Sequence, residues 1–428
     1  MLTIKTQLPA RFSQAEFDQY KTEKLPVLDE VNRCAHTVMA GKPWQRYNDS
    51  LGWMCLDKWA SSQRIDELRR LADEVRENAE VFVLVGVGGS NQAARAVIRA
   101  LQQTSPGCEI LYAGTNLSPH FYGSLVKRIQ GRSFYINVIA KNFETLEPGI
   151  GFRVLLRLLE QQYGADAPKR VIATGTQGSP FHELALREGY RFLSFPDDIG
   201  GRFSVFSDVG LFPMLVAGID AQRVAEGARR MSRQLYADDT LSNPAYQYAA
   251  FRNFLLQGGI SLEILSCFEP QIFYFGKWWV QLFAESEGKN HKGLYPVALS
   301  YSEDLHSVGQ YVQEGQRNLM ETFLTFGQPH ASYPIQPGGL QDGFAYLDGK
   351  DLWAINKVAE EATIKAHSES QVPLALLEAE SLKEETFGAL FFFFQYACYL
   401  SAEMLGVHPF DQPGVEGYKK YMFEGLGK

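Results

Sequence analysis

The chain has 428 residues, of which 45% are hydrophobic and 21% are charged, a composition typical of a globular protein with two domains. Lys and Arg number 41 and Asp and Glu number 49, so the formal net charge is 41 − 49 = −8. Because nucleic-acid-binding proteins carry a basic surface, this balance argues against a nucleic-acid partner. An anionic ligand has to be held by local donors against the charge of the whole protein.

Cysteine usage and apolar segments predict a cytoplasmic protein with no membrane partner. The five cysteines include no CxxC pair, which is typical of packed thiols in a reducing compartment. Residues 1–17 contain no apolar stretch of the kind found in signal peptides. Residues 386–402 carry no charge, but they are shorter than the ~20 apolar residues of a usual membrane span. We therefore expect a buried core helix there.

From residue 81 onward, short apolar runs alternate with amphipathic stretches. The runs predict strands over 81–85, 109–113, 134–140, 170–174 and 190–195. The stretches between them predict helices over 90–103, 119–129, 147–163 and 180–187. Continuous apolar strands between helices indicate a parallel sheet covered on both faces.

The same alternation begins again further along the chain and predicts a second, similar βα unit. Its predicted strands are 271–275, 295–300, 322–326 and 372–377, with a long helix over 351–370. A loop-rich stretch over 195–202 is the predicted boundary. The predicted domains are an N-terminal helical segment (1–55) packing on the second domain, a first domain (56–199) and a second domain with C-terminal helices (200–428).

A glycine-rich stretch, Gly86-Val87-Gly88-Gly89-Ser90, follows the first predicted strand. Glycines let the backbone approach a ligand closely, and a helix N-terminus favours anions. A dinucleotide site is disfavoured, since Asn91 and Gln92 stand where the third glycine belongs and no acid ends the second strand. The stretch predicts an anion or sugar loop, with a simple tight turn as the alternative.

Five further polar stretches are candidates for chemistry. In 140–145, Lys141, Asn142 and Thr145 are potential anion donors, although Glu144 repels anions and a solvated loop fits equally well. In 200–204, an arginine on a Gly-Gly turn suits recognition of an oxyanion, with a surface arginine as the alternative. Gln281 and Glu285 share a helix face, which suits a general base or a solvated carboxylate.

His306 lies at a predicted helix start, where it is either functional or structural. The eight histidines lack zinc-ligand spacing, so no metal site is expected. Residues 408–420 combine a Pro/Gly turn with polar groups that a simple capped terminal helix does not need.

Together these stretches resemble the glucose-6-phosphate isomerase (phosphoglucose isomerase) family, particularly its shorter bacterial form. That family has a GIGGS loop, an SKSGTT-type phosphate loop, GGRxS, an ES-(N or E)-GK helix end, a QHS-like stretch and FDQxGVExxK. The corresponding residues here are, in the same order, 87–90, 140–145, 200–204, 285–289, 305–307 and 410–419. The resemblance covers most of the chain from about residue 70 to the end.

The resemblance implies two doubly wound sugar-isomerase (SIS) domains in a homodimer with shared active sites, without cofactor or metal. It implies that Glu285 moves a proton between C1 and C2 of the sugar and that Arg202 steadies the enediolate. It also implies that His306, reaching into the neighbouring subunit, and Lys419 act in ring opening. The implied sugar and phosphate contacts are Gly89, Ser90, Lys141, Asn142, Thr145, Gln281 and Gln412.

The implied activity is interconversion of glucose 6-phosphate and fructose 6-phosphate, a step of glycolysis and gluconeogenesis. The phosphate loop departs from the family pattern, because Ala140, Asn142 and Glu144 replace hydroxyl residues. Each lost charge-assisted hydrogen bond costs roughly 1.5–3 kcal/mol. A related sugar or sugar phosphate is therefore an alternative substrate. A non-catalytic sugar-phosphate-binding regulator is a further alternative, which the retained Glu285 disfavours.

Overall fold

The computed structural model describes residues 2–102, 108–339 and 342–427. Within these ranges the strands form two five-stranded sheets, each flanked by helices. The strands are β1 (Thr3–Gln7), β2 (Val81–Val85), β3 (Glu109–Ala113), β4 (Phe134–Ile139), β5 (Val171–Gly175), β6 (Arg191–Ser194), β7 (Leu262–Cys267), β8 (Tyr295–Ser300), β9 (Leu319–Phe326) and β10 (Leu374–Ala379).

The helices cover both faces of the sheets and form the contact between them. They are α1 (Gln14–Met39), α2 (Leu56–Trp59), α3 (Ser62–Asn78), α4 (Gln92–Leu101), α5 (Pro119–Ile129), α6 (Leu146–Tyr163), α7 (Pro180–Glu188), α8 (Asp208–Val216), α9 (Ala221–Ala237), α10 (Pro244–Gln257), α11 (Phe273–Glu287), α12 (Leu305–Glu314), α13 (Leu352–Glu369), α14 (Glu384–Leu405) and α15 (Glu416–Gly425).

The first sheet has the strand order β3-β2-β4-β5-β6, and all its pairs are parallel. The central strands β2 and β4 are buried along their whole length, as expected for a parallel sheet covered on both faces. Every predicted strand of this unit is confirmed to within two residues, and β3 and α5 match their predicted bounds. The predicted helix over 90–103 is α4, and residue 103 lies outside the described residues.

The second sheet has the order β1-β10-β9-β7-β8, in which only β1 pairs antiparallel among the described strands. The prediction of a strand over 271–275 is wrong, because these residues form a short 3-10 turn and the start of α11. Phe275 packs on Phe391 of α14 with ring centroids 5.2 Å apart, so this apolar run belongs to a buried helix. A short apolar run does not distinguish the two by periodicity.

Helix α14 is the central core helix, and it packs against α9, α10 and α11. By length and composition alone it is apolar enough to cross a membrane, but 83% of its apolar window is buried inside the protein. Its phenylalanine run, 391–394, is fully buried among aromatic side chains of α10 and α11. The predicted buried core helix over 386–402 is therefore confirmed.

The functional region is set by a close approach between the two halves of the chain. Turn Gly88–Ser90 after β2 packs against turn Gly201–Phe206. A Cβ atom added to Gly89 would lie 2.0 Å from the carbonyl oxygen of Gly201, so only glycine fits there. Helix α11 packs on α4, and its C-terminal end reaches the same place.

Candidate active site

Arg202 is the centre of the site, with a side chain only 2% exposed. Its Nε donates to Ser286 Oγ at 2.8 Å. Its Nη1 donates to Glu285 Oε2 at 3.1 Å and to Gln412 Oε1 at 3.0 Å. One guanidinium therefore joins the end of α11 to the C-terminal segment.

The remaining nitrogen of Arg202 binds the backbone. Nη2 donates to the carbonyl oxygens of Pro409, at 2.8 Å, and Asp411, at 3.2 Å. The carbonyl oxygen of Arg202 itself accepts a hydrogen bond from Trp278 Nε1 at 3.1 Å. With five acceptors for five N–H groups, the guanidinium is fully hydrogen-bonded.

The electrostatics of Arg202 follow from its burial. Burial lowers the pKa of the Arg202 guanidinium below its usual range, and the neighbouring Glu285 carboxylate opposes this shift. An arginine stays protonated even when buried, so a permanent positive charge lies beside the carboxylate. This arrangement can stabilise negative charge that develops on a substrate oxygen.

Glu285 and Gln281 lie on one face of α11, as the i and i+4 spacing predicts. Gln281 Nε2 donates to Glu285 Oε1 at 3.0 Å. The Glu285 side chain is 33% exposed, so its carboxylate reaches solvent as well as Arg202. Gln281 Oε1 is buried and has no hydrogen-bond partner among the described residues. Because buried polar atoms are normally paired, this oxygen is available to a ligand.

The glycine turn faces this pair. A Cβ added to Gly88, whose φ is +55°, would lie 2.7 Å from Gln281 Nε2. Ser90 is half-buried in the same turn. Asn91 Oδ1 and Gln92 Oε1, which follow directly, are also buried without partners in the described parts of the chain. The glycine turn and these unpaired amide oxygens together suit the binding of hydroxyl groups.

Lys141 anchors the neighbouring loop. Its Nζ donates to the carbonyl oxygens of Asp197, at 2.7 Å, and Ile199, at 3.3 Å. Burial lowers the pKa of Lys141, and the charges of Asp197 and Asp198 oppose this shift. Lys141 therefore holds the segment that leads into the Gly200-Gly201-Arg202 turn.

Asn142 and Thr145, which flank the start of α6, are both exposed. Between them, Phe143 has a φ of +57° and stacks on Phe181 with centroids 4.4 Å apart. This stacking fixes the loop, and it leaves the polar side chains of Asn142 and Thr145 facing outward.

Lys289 ties the C-terminal turn to the end of α11, a role that sequence reasoning missed. Its Nζ lies 2.7 Å from Asp411 Oδ1 and also donates to the carbonyl oxygen of His408. Burial lowers the pKa of Lys289, and the hydrogen bond that Lys289 donates to Asp411 opposes the shift. Ser286 was missed as well. Both residues lie within the ESEGK motif at 285–289. This motif is the sequence signal from which their roles were open to prediction.

The family model described as phosphoglucose isomerase matches residues 72–321, more than half of the chain. The chain belongs to this family. The resemblance inferred from the motifs is therefore confirmed. Among the described residues, no group of three or more His, Cys, Asp or Glu side chains is placed to hold a metal ion.

Relatives by sequence agree with this assignment to the phosphoglucose isomerase family. A glucose-6-phosphate isomerase of Staphylococcus saprophyticus is 42% identical over 388 residues, covering 89% of this chain and 88% of the relative. One from Clostridium novyi is 39% identical over 424 residues, covering 96% and 93%.

A hypothetical protein from Thermus thermophilus superposes with a TM-score of 0.88 at 25% identity, covering 99% of this chain and 100% of that chain. A glucose-6-phosphate isomerase from Chlamydia trachomatis superposes with a TM-score of 0.81 at 18% identity, covering 100% and 88%. The predicted fold of two doubly wound sugar-isomerase domains is confirmed.

The two residues predicted to act in ring opening lie on helices α12 and α15. His306 is exposed on the first turn of α12, just after β8. Lys419 is half-buried in α15. The protein thus brings Arg202, Glu285 and the two glutamines together, while His306 faces outward.

Proposed function

We propose that this chain interconverts glucose 6-phosphate and fructose 6-phosphate as an aldose–ketose isomerase. The observation that carries the proposal is the contact between the Glu285 carboxylate and the Arg202 guanidinium, 3.1 Å apart. The names of the relatives, glucose-6-phosphate isomerase, support the same reaction.

The chemistry requires a base and a fixed positive charge. Glu285 removes the proton from one of the two carbons, C1 or C2, and returns it to the other, since a positioned base contributes about 10²–10⁴-fold. Arg202 stabilises the negative oxygen of the enediolate that forms between the two transfers. Nη1 of Arg202 donates to the side chains of Glu285 and Gln412, and Gln412 is exposed, so a substrate oxygen takes the place of Gln412 Oε1 there.

The glycine turn and its polar neighbours account for binding of the sugar. Gly89 lets the backbone approach the sugar closely, Ser90 offers a hydroxyl group, and Gln281 offers an unpaired oxygen to sugar hydroxyls. In this proposal, Asn142, Thr145 and the N-terminus of α6 receive the phosphate group. Lys141 adds positive charge from below the loop.

Ring opening and assembly complete the proposal. His306 and Lys419 act in ring opening, and the exposed position of His306 suits a role in the site of a second copy. We therefore propose a cytoplasmic homodimer in which His306 of the partner subunit completes each site. We also propose that the chain divides into an N-terminal helical segment (1–55), a first domain (56–199) and a second domain with C-terminal helices (200–428).

A second candidate is an isomerase of a related sugar or sugar phosphate. The observation that favours it is the phosphate loop, in which Ala140 is buried and Glu144 is exposed beside the phosphate donors. The third candidate, a non-catalytic regulator, has no need of a carboxylate held against a buried arginine.

The test is a coupled assay with fructose 6-phosphate that compares the wild type with Glu285→Gln. Loss of the base is expected to lower kcat by about 10²–10⁴-fold. The exposed Glu226→Gln on α9 is the matched control and is expected to retain wild-type kcat. Normal turnover by Glu285→Gln would remove Glu285 from its role. A wild type that binds fructose 6-phosphate without turning it over would favour the regulator.

A further inference from the structure

Three ionisable side chains lie together in the interior of the second domain, outside the proposed site. They are Arg252 of α10, Glu263 of β7 and Glu287 of α11, with exposed fractions of 1%, 0% and 1%. None of them was singled out by sequence reasoning. We call them the buried trio.

The buried trio is held by short polar contacts. Arg252 Nη2 lies 2.5 Å from Glu287 Oε2, and Arg252 Nη1 contacts Glu263 Oε2. Glu263 Oε1 accepts hydrogen bonds from Tyr248 at 2.6 Å and from Thr322 at 2.7 Å. Glu263 thereby fixes the orientation of the guanidinium, which aims its other nitrogen at Glu287.

The charge of the trio is not explained by stability alone. Glu263 already neutralises Arg252, so Glu287 adds a second carboxylate to a dry interior. Burying ions is costly, and apolar side chains of similar volume often stabilise a core as well or better. The contact between Arg252 and Glu287 therefore calls for another explanation. The position of Glu287 at the end of α11 suggests one.

Glu287 is the last residue of α11, directly after Ser286 and two residues after Glu285. Glu285 and Ser286 both accept hydrogen bonds from Arg202. The last turn of α11 is thus held by one guanidinium at residues 285 and 286 and by another at residue 287. The chain beyond it also packs tightly, since a Cβ added to Gly293 would lie 2.8 Å from the carbonyl oxygen of Glu287.

We propose that Arg252, acting through Glu287, fixes the rotation of the last turn of α11 and so positions Glu285 for proton transfer. Arg252 is a positioning residue, because it touches neither Glu285 nor Arg202 in the contacts described. Glu263 holds the guanidinium in the orientation that this requires. The inference rests on the proposed isomerase function, since Glu285 is its proposed base.

The test compares Glu287→Met with Glu287→Gln. The methionine variant keeps the side-chain volume and leaves a neutral Arg252–Glu263 pair, so it is expected to fold. It is expected to lower kcat for fructose 6-phosphate by about 10–100-fold, because small displacements of a catalytic group have effects of this size. KM is expected to stay within about twofold, since the sugar contacts are untouched. The glutamine variant still accepts a hydrogen bond from Arg252, so most of kcat is expected to return.

A kinetic isotope effect separates positioning from a merely structural role. With glucose 6-phosphate deuterated at C2, the isotope effect on kcat is expected to be larger in Glu287→Met than in the wild type, because proton transfer is the slowed step. The matched control is Glu321→Gln, a buried acid of the same sheet that binds His367 at 2.6 Å. It is expected to lower the unfolding temperature while kcat and the isotope effect stay unchanged.

Wild-type kcat in Glu287→Met would overturn the inference, as would equal losses in the methionine and glutamine variants. If Glu287→Met does not fold, Arg252→Lys replaces it, with the same expected fall in kcat and rise in the isotope effect. Unchanged values of both would overturn the inference.

If the wild type shows no isomerase activity, the proposed function fails. Positioning is then tested by amide hydrogen exchange over 281–288. Faster exchange in Glu287→Met than in Glu287→Gln supports the inference, and equal exchange contradicts it.

Discussion

The parallel strands β3-β2-β4-β5 of the first sheet and β8-β7-β9-β10 of the second have the same order, but the carboxyl edges of the two sheets differ in chemistry. At the first edge, β2 leads into glycines 88 and 89, and β4 leads into Lys141. At the second edge, a cavity of about 640 Å³ is lined by Glu269 and Glu303 from the loops after β7 and β8 and by Trp353 at the start of α13. The first edge carries glycine backbone and a lysine, whereas the second carries carboxylates and aromatic rings.

This difference shows which part of a doubly wound unit selects a ligand. The strand order creates a crevice at the carboxyl ends of the strands in both units. The residues just after each strand then determine whether the crevice favours a negatively or a positively charged ligand. Burial raises the pKa of Glu269, with a hydrogen bond from Asn356 opposing the shift, and an anion there would meet a second carboxylate in Glu303. We therefore expect phosphate to bind at the first edge.

The closest approach at the first edge is between Gly89 and Gly201, so a side chain there is expected to have the largest effect. In Gly89→Ala the new Cβ would lie 2.0 Å from the Gly201 carbonyl oxygen. We expect the free energy of unfolding to fall by at least about 3 kcal/mol and isomerase activity to be lost. Chemical denaturation and the fructose 6-phosphate assay measure the two effects.

The matched control for Gly89→Ala is Gly149→Ala in α6, where an added Cβ meets nothing within 4 Å. Because alanine favours helix, this variant is expected to be unchanged or more stable by about 0.5–1 kcal/mol. Equal stability of the two variants would contradict the proposed contact between the turns.

Arg202 joins the two halves of the site, and Arg202→Lys is expected to have the next largest effect. Lysine keeps the charge, but its single ammonium group cannot replace the planar guanidinium that binds Glu285, Gln412 and Ser286 at the same time. We expect kcat/KM to fall by about 10²–10³-fold in steady-state assays. Arg223→Lys, in an exposed pair with Glu385, is the control and is expected to retain activity. A fully active Arg202→Lys would contradict the role of the guanidinium in stabilising the enediolate.

Glu144 tests the charge of the first edge directly. Its exposed carboxylate lies in the loop proposed to bind phosphate, so Glu144→Gln is expected to lower KM for fructose 6-phosphate by about two- to threefold at low salt. The gain is expected to shrink as ionic strength rises, because exposed charges are screened. Glu160→Gln, exposed near the other end of α6, is expected to leave KM unchanged. An unchanged KM for Glu144→Gln at low salt would place the phosphate elsewhere.

The smallest effect is expected at the second edge, from Glu269→Gln. Burial raises the pKa of Glu269 above its ordinary value of 4.5, so its charged form is disfavoured in the folded protein. The stability associated with its proton is complete below the ordinary value and is lost as the pH rises through the raised pKa. Glu269→Gln is therefore expected to raise the unfolding temperature by about 1–3 °C at pH 7, and by less at pH 4, with isomerase activity unchanged.

The control for Glu269→Gln is the exposed Glu361→Gln on α13, which is expected to change neither quantity. Loss of isomerase activity in Glu269→Gln would contradict the expectation that the phosphate binds at the first edge and not at the second.

The fold was predictable wherever buried strands are uniformly apolar. The first unit fulfils this condition, and β3 and α5 were predicted at their observed bounds. Strand β7 was missed because Glu263 and Ser266 interrupt its apolar run, although both are buried in polar networks. Strand β1 was missed because it is a short edge strand with alternating exposure.

The part of the site that was predictable consists of side chains that belong to a recognisable sequence motif. The pairing of Arg202 with Glu285 followed from the family pattern. The binding of Arg202 to the carbonyls of Pro409 and Asp411 did not, because every residue type has a carbonyl oxygen and the sequence carries no mark of its use. The carbonyl partners of Lys141 were unpredictable for the same reason.

The two carbonyls that bind Nη2 of Arg202 belong to a segment that the ribosome makes about 200 residues after the arginine itself. A nascent polypeptide that ends before residue 409 leaves a guanidinium edge with no acceptor in an otherwise dry interior. Such a fragment meets an energetic penalty that the longer chain does not. The hydrogen bonds of Arg202 are therefore complete only after this late segment has been made and has docked.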